Sequence, residues 1–249
     1  MKTQTIKNGR TIAALILIFF GNFTMAQTPA VDIEAEKILT NYISAIGGEK
    51  ALSKIENIVS KSDALFVEAG LTINREMVQD KTNKLYIKVY SPQTGELYRG
   101  FDGDTFWEKS KSAIRVIDDE NRMSYLNEFA FMRFAQWKKN LFDFEYLGLD
   151  SIDGNVFHGI VVKTIYGVKE TWYFNTTDYL LSYTSEQLEM TRGEITVVTK
   201  FDDYREVDGV KHSFSRSIKM GERNRKITYS SILHNQVLDP ELFVKPISN

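Results

Sequence analysis

The sequence predicts a mainly β (α+β) fold. It consists of a long up-and-down antiparallel sheet, curled by its own twist, with helices at its N-terminal end and a helical segment over one face. Three observations lead there. From about residue 59 onward, apolar residues alternate with polar ones at period two, the spacing of half-buried strands. Three Asp-Gly pairs (Asp102-Gly103, Asp153-Gly154 and Asp208-Gly209) each stand between such runs. Asp-Gly supplies the positive φ angles of the type I′ turn that joins paired strands. Of the 4 prolines, none falls between Pro92 and Pro240, so that stretch can pair strand to strand without losing a backbone donor. Roughly ten strands fit, and twisted sheets of that size curl.

Taken in order, the chain opens on a leader. Lys2, Lys7 and Arg10 form a basic start, 11–23 is an apolar run too short to span a bilayer, and Thr24 and Ala26 supply small residues. This is the pattern of a signal peptide over 1–26, cut after Ala26. An uncleaved N-terminal anchor is the alternative. The remainder, 27–249, is read as a single domain. It carries 28 basic against 33 acidic residues, a net charge of −5, once the three basic residues of the leader are removed from 31. That balance excludes the basic stripe of a nucleic-acid binder. No later apolar run reaches spanning length, so the mature chain is not expected to cross a membrane. With 0 cysteines, a secreted chain must be held by its core, not by disulfides.

Two helices follow. Ile38, Leu39, Tyr42, Ile43 and Ile46 recur at helical spacing until Gly47-Gly48 stops the helix. A shorter repeat places Ala51, Leu52, Ile55 and Ile58 on one face. In the strands, Leu71, Ile73 and Met77 alternate with Thr72, Asn74 and Glu76, and Leu85, Ile87 and Val89 with Tyr86, Lys88 and Tyr90. Arg75 can face inward beside Ile73 and Met77, but a strand-edge salt bridge is its expected role. A two-residue loop at Asp102-Gly103 would set Tyr98 opposite Trp107, on one face with Gly100. Further turns are expected at 175–178, 191–194 and 221–224. Residues 118–121 should form a turn and helix start, with Asp or Asn as the cap.

Residues 121–140 read as one helix, with Met123, Leu126, Ala130, Phe134 and Trp137 on one face. Phe129, Phe131 and Met132 widen its apolar arc beyond what a surface helix needs. A curled sheet, an aromatic inner face and an over-apolar helix suggest a container with a lid. Its expected lining is Leu71, Ile73, Leu85, Ile87, Tyr98 and Trp107 from strands, with Met123, Leu126, Phe129, Phe134 and Trp137 from the lid. A packed core with no ligand is the alternative.

Catalytic patterns are missing. His158, His212 and His234 are far apart in sequence and are read as ordinary strand histidines, not metal ligands. There is no thiol, no nucleophile elbow and no phosphate loop. Asp202 and Asp203 are adjacent, so on a strand they face opposite ways. Residues 222–226 form a basic turn, solvated or touching a lipid headgroup. No enzyme activity, metal or cofactor is expected.

The stretch "YISAIGGEKALSKIENI" (42–58), the β-meander after it, "DGDTFW" (102–107), the aromatic 121–140 segment, "YREVDGVKHSF" (204–214) and "NQVLDPELFVKP" (235–246) come in a telling order. In that order and spacing the chain resembles the LolA-like outer-membrane lipoprotein-sorting proteins, and is similar to members found in Bacteroidetes. The resemblance covers essentially all of 27–249. It implies an incomplete antiparallel β-barrel with helices on its open side. It also implies non-enzymatic carriage of acylated cargo, lipoprotein or lipid, through the periplasm, with inner- or outer-membrane protein partners. The classical carrier has a Lys-Arg-Pro step before the strand matching "LYIKVY". Lys81-Thr82-Asn83 stand here instead, so no functional arginine is carried over. An envelope interaction module with a filled core is the second reading.

Overall fold

Asp32 is the cap of the first helix. Its Oδ1 accepts hydrogen bonds from the amides of Glu34 and Ala35 at 3.1 and 3.0 Å, a helix N-cap. Helix α1 runs Ile33–Ala45 and buries Ala35, Ile38, Leu39, Tyr42 and Ile43. It ends where Gly47 and Gly48 take positive φ angles of 130° and 79°. A Cβ on Gly47 would lie 2.3 Å from the Gly209 carbonyl oxygen, so the close approach of two chain segments also demands glycine there. Helix α2 is only Glu49–Leu52. The expected continuation through Ile58 is not helical, because Ile58 already belongs to the first strand.

The computed structural model describes residues 32–118, 121–190 and 193–247. The expected leader over 1–26 and its cut after Ala26 lie outside these, as do Asp119, Glu120, Thr191 and Arg192 of two expected turns. Among the described residues no helix is long and apolar enough to cross a membrane.

Six strands precede the 121–140 segment: β1 (Asn57–Phe66), β2 (Leu71–Asp80), β3 (Leu85–Ser91), β4 (Gly95–Phe101), β5 (Phe106–Lys109) and β6 (Ile114–Val116). Seven follow it: β7 (Leu141–Ile152), β8 (Asn155–Thr164), β9 (Lys169–Asn175), β10 (Leu181–Met190), β11 (Gly193–Val207), β12 (Val210–Met220) and β13 (Arg223–His234). All pair antiparallel in one sheet of order β6-β5-β4-β3-β2-β1-β13-β12-β11-β10-β9-β8-β7. The two outermost strands do not meet, so the barrel is incomplete, as the sequence predicts. The chain therefore forms two meanders joined at a central β1–β13 seam.

Turn chemistry fixes the registers. Asp153-Gly154 and Asp208-Gly209 are two-residue loops with positive φ throughout, at 52°, 79°, 48° and 80°. Asp102-Gly103 differs. Asp102 Oδ1 accepts from the amides of Asp104 and Thr105 at 2.9 and 2.8 Å, which lengthens the loop to four residues and sets Phe101 opposite Phe106. Trp107 consequently pairs with Gly100, and Tyr98 with Lys109. A shift of two residues still keeps Tyr98, Gly100 and Trp107 on one shared face. The Trp107 ring lies across Gly100, where a Cβ would come within 2.2 Å of it.

The 121–140 segment is not one helix. It forms helix α3 (Asn121–Glu128), a run of turns, and helix α4 (Trp137–Asn140), with Met132 at φ 47°. Its aromatics serve three separate clusters. Phe129 packs with Met77, Leu85, Phe101 and Phe106, Phe131 with Val210, Phe214 and Ile227, and Phe134 with Trp172, Phe174 and Phe201. No straight helix can aim consecutive aromatics at three targets. The same contacts demonstrate the curl. Asn127 bonds Glu170 on β9 while the Phe129 carbonyl bonds Gln79 on β2. Six strand spacings separate β2 from β9, roughly 29 Å in a flat sheet, whereas two residues span at most about 7 Å. Only a strongly curled sheet brings both within reach. The face served by α1 and the 121–140 segment is termed inner.

Candidate functional site

The inner face under 121–140 is the candidate site. Over β3–β5 it is apolar. Tyr125 stacks on Phe106 with centroids 5.5 Å apart, and on Phe129 at 6.5 Å. Leu85 and Ile87 are 3% and 2% exposed beneath them. Between this layer and the sheet a small, partly open cavity of about 10 Å³ remains, lined by Asn83, Leu85, Phe101, Leu126 and Phe129, room for one water.

Polar contacts tie the segment down. Gln79 Nε2 donates to the Phe129 carbonyl at 2.7 Å. Asn83 Oδ1 accepts from the Phe131 amide at 3.1 Å. Asn83 adopts φ 62° in the β2–β3 turn, a left-handed conformation that asparagine tolerates. It lies in the stretch that the resemblance matches to the basic step, so an amide stands there in contact with the covering segment. Farther along, Arg133 forms an ion pair with Glu170, which is 4% exposed. Glu170 also accepts from Asn127 Nδ2 at 3.0 Å and from Trp172 Nε1 at 2.8 Å. This saturation is what a buried carboxylate requires. Glu186 sits beside it in the β9–β10 ladder. Burial, and then the neighbouring Glu170 charge, push its carboxyl up to about 7, against the pull of Arg133.

The expected lining residues divide. Leu85, Ile87, Leu126 and Phe129 come together. Leu71 and Ile73 share the inner face but lie half-buried at its far end, opposite Phe66 and Ala64 of β1. Phe134 and Trp137 join the α1 side, with Phe134 edge-on to both Trp172 and Phe201. Met123 is 49% exposed. Tyr98 and Trp107 were grouped with Leu85 and Ile87, but the ladders place them on the opposite, outer face. There the C-terminal 3-10 helix (Pro240–Phe243) supplies a carbonyl, that of Phe243, to Trp107 Nε1 at 2.8 Å.

Sequence reasoning missed Gln79, Asn83, Arg133 and Glu170. Glu170 had a signal, since period two places it on the face of Trp172 and Phe174, where a lone carboxylate needs a partner. A strand-edge salt bridge is the expected role of Arg75, with an inward orientation as the alternative. The side chain points inward, with Nε on Ser62 Oγ at 3.3 Å and Nη2 on Tyr229 Oη at 3.2 Å.

No family profile and no curated protein sequence matches the chain. Solved structures do. A LolA superfamily protein from Nitrosomonas europaea superposes with a TM-score of 0.60 at 12% identity, covering 87% of this chain and 99% of its own. A DUF1329 family protein from Desulfovibrio piger gives 0.58 at 11%, covering 84% and 96%. A domain from Vibrio parahaemolyticus named for outer membrane lipoprotein sorting gives 0.57 at 10%, covering 84% and 95%. Identities this low establish shared fold alone.

Proposed function

With a LolA-like fold as its premise, we propose that the protein is a non-enzymatic periplasmic carrier of acylated cargo, either lipoprotein acyl chains or other lipids, bound on the inner face. Residues 1–26 serve as its signal peptide, and membrane proteins of the envelope hand over and accept the cargo. The observation that carries this reading is the covering segment. The inner face is closed by short helices and turns bearing half-buried Tyr125, Leu126, Phe129 and Phe134, tethered to the sheet through Gln79, Asn83 and Glu170. Such a segment can withdraw as a lid, leaving Leu71, Ile73, Leu85 and Ile87 to cargo. Each methylene then buried contributes about 0.8 kcal/mol, so two acyl chains need no polar anchor for tight binding.

The small volume of that cavity favours a second reading, an interaction module with a permanently filled core. Mass spectrometry of an organic extract separates the two. The protein is purified gently from its native envelope beside the variants Leu126→Asp and Ile73→Asp. The carrier reading expects a stoichiometric acylated species that both variants lose. A folded, lipid-free wild-type protein would overturn it in favour of the filled module.

A further inference from the structure

Part of the inner face carries charge without counter-charge. Arg75 on β2 and Arg216 on β12 approach the Tyr229 ring, their guanidinium carbons 5.9 and 5.3 Å from its centroid. Arg216 also lies 5.2 Å from the Phe201 ring, and its Nε is buried with no hydrogen-bond partner. Arg225 follows on β13, 5.8 Å from the Phe66 ring. A register shift between Lys61 and Ser62 makes this arrangement, because it sets Tyr229 opposite Ser62 and so turns the ring inward. Among the described residues none of these three arginines has an ion-pair partner. Arg99 and Arg133, also turned to the inner face, have Glu108 and Glu170. A groove of about 280 Å³ on the same strands, to whose lining Arg75 and Ser62 also contribute, mixes Lys61 and Lys88 with Asp63 and Glu76.

Two cations sharing one ring repel, and a partly desolvated charge gains from a counter-charge. Guanidinium groups present paired donors that match a carboxylate or phosphate. Half-buried Phe66, Ile73 and Ile218 adjoin them, a floor for alkyl chains. We infer that this part of the inner face takes the anionic head group of a lipid between Arg75 and Arg216, with its chain along Phe66, Ile73 and Ile218. The inference rests on the carrier reading and adds the charge class of the cargo.

The test is calorimetric binding of lysophosphatidylglycerol and lysophosphatidylcholine of equal chain length, each below its micelle concentration. The anionic lipid should bind about tenfold tighter, the worth of one charge-assisted contact. The variants Arg75→Gln and Arg216→Gln should abolish that preference, and Arg75→Lys should keep part of it. The wild-type preference is readable even where a variant fails to fold. Equal affinities in the wild type would overturn the head-group inference and leave the carrier intact. No binding of either lipid would overturn both. Inorganic phosphate competing as well as the anionic lipid would assign the arginines to a free anion and overturn the lipid source.

Discussion

Glu186 and His212 show how burial works on single side chains. Burial, then the neighbouring His234 charge and Arg216, lower the His212 imidazole to about 4. Its Nε2 faces His234 Nε2 at 2.9 Å, so one ring donates and the other accepts. A base depressed from 6.5 adds stability above that pH and loses it as pH falls toward 4. Glu186 acts in the other direction. Its carboxyl rises from 4.5 to about 7, so the folded state holds a proton that the unfolded chain has released. That contribution is complete below 4.5 and lost as pH rises through 7. The variant Glu186→Gln should therefore be more stable than wild type at pH 8, and flatten the fall in stability between pH 5 and 8, by on the order of 1–2 kcal/mol once solvent screening of a half-buried group is allowed for. Urea unfolding at several pH values reads this, and an unchanged pH slope would refute it. Neither residue stood out in the sequence. His212 and His234 are 22 positions apart, and only the folding of β12 against β13 joins them.

At the scale of elements, local chemistry was legible and long-range selection was not. Asp153-Gly154 and Asp208-Gly209 form the loops their residue types predict, since φ is decided within the dipeptide. Asp102-Gly103 lengthens because the Asp102 carboxylate finds two amides ahead of it. The 121–140 run has helical periodicity, yet three clusters on a curled sheet claim its aromatics, and Arg133 must reach Glu170. The helix breaks accordingly. The tether from Asn83 can be isolated by Asn83→Gly, which keeps the positive φ but removes the acceptor of the Phe131 amide. Losing one such bond costs about 1 kcal/mol. Hydrogen exchange at Phe129–Gln136 should accelerate about fivefold, while β8 and β9 keep their protection. Uniform acceleration across the sheet would mean that Asn83 supports the fold and not the covering segment.

For the molecule as a whole, period two and the turn signals identified an open antiparallel sheet. They could not reveal which strands meet when they are distant in sequence. The β1–β13 seam pairs Ile58 with His234 and Phe66 with Arg225, contacts between residues far apart in sequence, and no local pattern encodes them. Closing so long a loop is the slow part of folding. Asp63 and Thr228 are exposed partners across the seam, and the chain has no free cysteines. The pair Asp63→Cys and Thr228→Cys, once oxidised, should refold at least about tenfold faster than when reduced, because the loop is already closed. Equal rates in stopped-flow tryptophan fluorescence would place the slow step elsewhere.

That seam also sets the timetable of biosynthesis. A ribosome delivers β1 early and β13 late, so a nascent chain halted before Arg223 holds one meander and most of another, joined only through the 121–140 segment. Until β13 emerges the sheet stays open at its middle, and that strand is the clasp.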